Sequence, residues 1–169
     1  MGKILGSWSG MRKYLEQEML ADSLKGRVRY GCTTYPGMDG SRIFELCIDG
    51  QQVKRFSWET VNSYFIDTGI SPEPKNYYWD NFLPLREKIT VSERDAHTDD
   101  EFCEALTAYR GQEIQKSLSS ENPLIRMFAV LDRRVGKRSL EKLKETLPNQ
   151  PVWLQEIYLF RFRAEEILQ

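Results

Sequence analysis

Ile43-Phe44-Glu45-Leu46-Cys47-Ile48-Asp49-Gly50-Gln51-Gln52-Val53-Lys54-Arg55-Phe56 decides the fold class. Ile43, Phe44, Leu46 and Ile48 form one strand, and Val53 to Phe56 form its return. Asp49-Gly50 between them is a type I′ turn signal, because both central positions of that turn need a positive φ. Upstream, Arg27 to Tyr35 is rich in β-branched and aromatic side chains and reads as a further strand. Pro36-Gly37 and Asp39-Gly40 punctuate the link to the hairpin. A small antiparallel sheet is therefore predicted.

Helical signals flank this sheet. Residues 9–22 carry Met11, Leu15 and Met19 on one face, with Trp8 before them and Ser9 as cap; Lys25-Gly26 ends that helix. Ser57 caps a short helix from Trp58 to Thr68, closed by Gly69. From Thr98 onward the pattern is helical. Thr98 caps a helix whose first turn holds Asp99, Asp100 and Glu101, suited to the positive end of the helix dipole. A break is expected after Gly111. Asn122-Pro123 starts a buried helix that runs from Leu124 to Val135 and stops at Gly136. Leu140, Leu143 and Leu147 mark the next helix, which Pro148 ends, and Pro151 opens the last. The fold class is α+β: an N-terminal helix on a small antiparallel sheet, followed by a helical C-terminal region. One domain is expected over residues 1–169, divided into an α+β portion (1–69), an aromatic, Pro-containing connection (70–97) and a helical portion (98–169).

Composition removes several function classes. The 24 Lys and Arg nearly cancel the 25 Asp and Glu, so the chain has no overall pull toward nucleic acid or an anionic membrane. No apolar run is long enough to span a membrane. Cys32, Cys47 and Cys103 are odd in number and widely spaced, which points to free thiols in the cytoplasm. They offer no familiar zinc spacing, and no glycine-rich phosphate loop occurs. No metal and no cofactor are expected. His97 is the one histidine, and its place before a helix cap reads as structural. The sequence advertises no catalytic residue.

Two charged stretches and one aromatic stretch remain as candidates. Residues 126–144 hold Arg126, Arg133, Arg134, Lys137, Arg138, Lys142 and Lys144 against Asp132 and Glu141. Arg126, Arg133 and Lys137 would share one helical face, and with Arg138 they could meet phosphates. Arg133 and Arg134 would also suit the negative end of a helix. Residues 93–104 are as acidic as that stretch is basic, and the two could instead pair with each other. Tyr77, Tyr78, Trp79 and Phe82, on a Pro-bounded loop, are of the type that anchors protein partners. The leading expectation is a non-catalytic interaction module with a protein partner, of the regulator, immunity-factor or adaptor type. A nucleic-acid-binding protein using residues 126–144 is the alternative. A cryptic enzyme is the third, with carboxylates drawn from Asp39, Glu45, Asp49 and Glu59 near the hairpin.

Trp8-Ser9 with Arg12-Lys13, then Leu24-Lys25-Gly26-Arg27-Val28, together with Asn122-Pro123-Leu124-Ile125-Arg126 and Leu131-Asp132-Arg133-Arg134-Val135-Gly136-Lys137-Arg138, resemble a family of small bacterial proteins of unknown function. The resemblance implies a bacterial, cytoplasmic protein and attaches no activity. Ser119-Ser120-Glu121-Asn122-Pro123, with an Arg in the turn that follows, is similar to the start of a HEAT-type helical unit. A single unit does not make a solenoid.

Overall fold

The computed structural model describes residues 6–34, 41–70 and 84–168. Helix α1 (Trp8–Lys13) starts two residues earlier than Ser9 as cap would place it. Ser7 is the cap, its hydroxyl accepting from the Gly10 amide. The helix then widens into a π-turn at Tyr14–Glu18 and does not reach residue 22. It stops because its exit is claimed by the C-terminal half: Leu20 bridges Asp132, the Arg133 amide donates to the Met19 carbonyl and the Ala21 amide donates to the Leu131 carbonyl.

The sheet is the predicted one. Strands β1 (Val28–Thr34), β2 (Arg42–Ile48) and β3 (Gln51–Phe56) lie antiparallel in the order β1-β2-β3. Asp49 and Gly50 have φ of 51° and 82°, the two positive values a type I′ turn requires. The Arg27 guanidinium clamps the same turn through two hydrogen bonds of 2.9 Å to the Asp49 carboxylate. Tyr30, Phe44, Leu46 and Phe56 point to one buried face.

Ser57 caps α2 (Trp58–Asp67) by accepting from the Thr60 amide, and Gly69 leaves the helix with a φ of +74°. A short helix α3 covers residues 84–88. Leu85 and Ile89 join Trp58, Val61, Phe65 and Ala96 in a small satellite core. Thr98 and Glu101 form a reciprocal capping box at the start of α4 (Asp99–Arg110). After the break at Gly111, α5 (Ile114–Leu118) leads to α6 (Pro123–Val130), where the Asn122 side chain accepts from the Leu124 amide.

Phe102 of α4 is the hub of the main core. Its ring stacks on Phe44 at 4.3 Å and meets Phe56 at 4.8 Å and Phe128 at 5.4 Å. One side chain thus joins the sheet to α6, with aromatic pairing adding to the area each ring buries.

Helix α6 ends at Val130, five residues before the expected stop. Arg161 supplies the reason. It sits on α8 (Val152–Ala164) and is only 2% exposed. Its guanidinium donates to the carbonyls of Val130, Asp132 and Val135 at 2.8–2.9 Å. The Asp132 carboxylate, also buried, accepts from the Arg134 amide and guanidinium and from the Tyr109 hydroxyl. Side chains therefore satisfy this turn where a longer helix would have used its own ladder. Helix α7 (Lys137–Leu143) follows. Pro148 lies inside a 3-10 turn, Lys144–Asn149, and so does not end α7 itself.

Replacing Arg161 by Met should leave those carbonyls unpaired and cost at least about 3 kcal/mol in urea unfolding. The neighbouring exposed Arg163→Met change should stay within about 0.5 kcal/mol of wild type.

Candidate functional site

The segment Val91–His97 divides two polar environments. It enters by a capping box, in which the Glu93 carboxylate accepts from the Thr90 amide at 2.9 Å. It then runs beside the free edge of β3. His97 makes a parallel bridge to Phe56, and the His97 carbonyl accepts from the Ser57 amide at 3.0 Å.

On the inner side lie two buried bases. Lys54 is 7% exposed, and its ammonium donates to the Asp95 carbonyl at 2.9 Å. The same nitrogen stands 3.9 Å from the centre of the Trp153 ring of α8 and 5.2 Å from that of Phe56. Burial pulls the Lys54 pKa down to about 7, although Asp95 and Glu101 pull the other way. His97 is fully buried. Its Nε2 lies 2.9 Å from the Val91 carbonyl oxygen, which assigns the proton to Nε2 and leaves Nδ1 an acceptor. That Nδ1 has no hydrogen-bond partner among the described residues, and the same holds for Nε1 of Trp153, whose ring meets the imidazole edge-on at 5.5 Å. Burial, then the Lys54 charge, lowers the His97 pKa to about 3.

On the outer side is an open groove of about 500 Å³. Arg55 of β3, Glu59, Tyr64 and Asp67 of α2, and Asp95-Ala96 line it. Among the described residues its charged lining is Glu59, Asp67, Asp95 and Arg55, and Asp67 and Asp95 are exposed. A second hollow, of about 280 Å³, lies beside β1. Its Glu16 is committed to the Tyr30 amide at 2.7 Å and to Arg12 at 3.0 Å.

The basic stretch is not one face. Arg126 donates to the Ser120 carbonyl and the Gln150 side chain, Arg134 grips Asp132, and Lys144 pairs with Glu141. Arg133 sits beyond the end of α6, so neither it nor Arg134 occupies a last helical turn. Arg133, Lys137, Arg138 and Lys142 are exposed.

Asp99, Asp100 and Glu101 of the acidic stretch turn inward, whereas Glu93, Asp95 and Glu104 are exposed, and the stretch does not meet the basic one through Glu101 or Asp99. Burial alone would raise the Glu101 carboxyl, but the buried Arg94 guanidinium grips both its oxygens and holds it low. Asp99 accepts from the Arg42 amide at 2.9 Å.

Tyr77, Tyr78, Trp79, Phe82 and Asp39 lie outside the described residues. The remaining hairpin carboxylates occupy different elements. Asp49 is in the turn with Arg27, Glu45 lies opposite Arg55 in the strand register, and Glu59 lines the groove. Four residues of strand separate Glu45 from Asp49 by roughly 13 Å. Among the described residues, no three His, Cys, Asp or Glu side chains gather as metal ligands. The three cysteines are free, and burial raises the Cys32 and Cys103 thiols, that of Cys103 to about 12. Lys54 escaped notice in the sequence because a lysine in a hairpin strand reads as a solvent residue. Its one signal was alternation, which puts it on the same face as Phe56.

The fold and these sites define an α+β protein with a helical C-terminal region, and no described helix is long and apolar enough to cross a membrane. The chain matches the SF0329 protein family over residues 7–162 and belongs to it. No curated protein and no solved structure matches.

His97 carries a pH prediction. Its folded pKa of about 3 lies below the unfolded value near 6.5. The unfolded chain therefore takes up the proton first, and stability is lost as pH falls from about 6.5 toward about 3. Urea unfolding across that window should show a smaller loss for His97→Gln, whose amide can keep the bond to the Val91 carbonyl.

Proposed function

We propose that the protein is a non-catalytic interaction module of the bacterial cytoplasm, and that its groove receives a cationic segment of a partner protein. The groove itself carries this reading. Among the described residues, the exposed Asp67 and Asp95 outnumber Arg55 there, and Tyr64 adds an aromatic ring. Carboxylates beside a ring suit a lysine or arginine side chain, through ion pairing and through attraction of the cation to the ring face. Among the described residues, Lys54 and Arg94 are buried, and Arg86 reaches over the Trp58 ring toward Glu101. The cytoplasmic setting is supported by the three free thiols.

Fluorescence anisotropy with short Lys/Arg-rich peptides, and with Asp/Glu-rich counterparts, tests this. The basic series should bind more tightly, and Asp67→Lys should weaken it about fivefold or more. Equal binding of both series, or indifference to the substitution, would remove the reading.

One observation keeps nucleic acid as a second reading: Arg133, Lys137, Arg138 and Lys142 are all exposed. Filter binding to duplex DNA should then weaken with a log–log salt slope of about −0.9 per phosphate contacted. A Lys137→Glu, Arg138→Glu double substitution should abolish that binding. Wild-type protein that fails to bind at low salt ends this reading.

A further inference from the structure

We propose that Val91–His97 is an acid-released strap: two buried bases hang from its carbonyls, and protonation of either favours a conformation in which the strap has left β3 and α8. Its meaning as a wall of the binding groove rests on the function proposed above, whereas its release does not.

The geometry sets up the competition. Lys54 comes from β3, Trp153 from α8, and both Asp95 and His97 from the strap. The Lys54 ammonium has one carbonyl acceptor, at Asp95, and two ring faces in place of its water shell. His97 spends its Nε2 proton on the Val91 carbonyl, and Nδ1 faces no partner among the described residues. A second proton on the imidazole would stand buried at Nδ1 without an acceptor. The charged groups around this pair do not rescue it. Asp95 and Glu101 favour a charge on Lys54, but Arg94 opposes it. Glu101 favours a charge on His97, but Lys54 and Arg94 oppose it. Helix α8 contributes the Trp153 ring, and β3 contributes Phe56.

The sign follows from linkage. With the strap closed, Lys54 titrates at about 7 and His97 at about 3. Released into water, they would titrate near 10.4 and 6.5. Protons therefore bind the open form better. Lys54 favours opening as pH falls from about 10.4 to about 7, and His97 adds to it from about 6.5 to about 3. The outer surface of the same strap, Asp95-Ala96, lines the groove, so opening removes one of its walls.

The test uses the full chain without ligand. Amide hydrogen exchange, corrected for intrinsic rates, should show the strap exchanging faster than α6. Strap protection should fall about tenfold per pH unit as pH drops between about 9 and about 8. Lys54→Met should abolish that slope. In labelled wild-type protein, the Lys54 side-chain NMR signal should titrate near neutrality, which decides the matter even if the variant fails to fold. The proposal is overturned by Lys54 titrating near 10.4, by pH-independent strap protection, by an unchanged slope in Lys54→Met, or by strap and α6 exchanging together at every pH. Because no peptide is involved, failure here leaves the groove reading standing, and failure of peptide binding leaves the strap standing.

Discussion

The Arg161 guanidinium is the constraint on which the C-terminal architecture depends. A buried arginine is tolerable only where its donors are largely met. Here three backbone carbonyls from one turn and the Glu165 carboxylate take four of its five N–H groups. The arrangement ends α6 at Val130 and turns the chain toward α7. It also presents Asp132 to Tyr109 of α4 and to the bridge with Leu20. Arg161 thus fixes a turn that the Met19–Ala21 segment, α4 and α8 all touch. Asp132 and Arg134 pair within this turn, so their charges serve the fold, while the Arg133 side chain stays exposed.

The same economy governs the acidic run. Asp99, Asp100 and Glu101 are buried at the start of α4, where a surface helix would expose them. Glu101 completes the capping box and closes on Arg94, whose remaining donors hold the Ile89 and Ala96 carbonyls. Parts of two runs of opposite charge therefore resolve into separate networks, Glu101 with Arg94 and Asp132 with Arg134, while Glu93, Asp95, Glu104, Arg133, Lys137, Arg138 and Lys142 stay exposed. A count of charges along the chain does not separate this outcome from mutual pairing or from two solvated patches. Each network is defined by backbone carbonyls as much as by the opposing charge.

Local signals account for what was legible in the sequence. The Asp49-Gly50 turn, the Ser57 and Thr98 caps, the Asn122-Pro123 start and the break at Gly111 each depend on a few adjacent residues, and each stands where it was expected. The errors concern contacts distant in sequence. Helix α1 stops short because Leu20 is needed by Asp132, and α6 because of Arg161, on the last helix. The candidate site was hidden for the same reason. Lys54, His97 and Trp153 are far apart in the chain, and each has an ordinary local explanation alone.

What makes the Val91–His97 segment distinctive is that one short stretch of backbone, a 3-10 turn at Val91–Glu93 followed by extended chain from Arg94, serves two solvents. An extended chain sends successive side chains to opposite sides, so it can offer Asp95 to water while its carbonyls accept from Lys54 and His97 within. The carbonyls are the cheaper half of this arrangement, since a neutral acceptor satisfies a base whether or not that base is charged. The charge itself is not so easily housed: a ring face and one carbonyl replace only part of a hydration shell. A fold seeking stability alone would place Met or Leu at position 54 and keep the packing against Trp153 and Phe56. Retaining an amine there ties the closure of the segment to proton concentration between about pH 10.4 and about pH 7, through a contact that the sheet, α8 and the segment must make together.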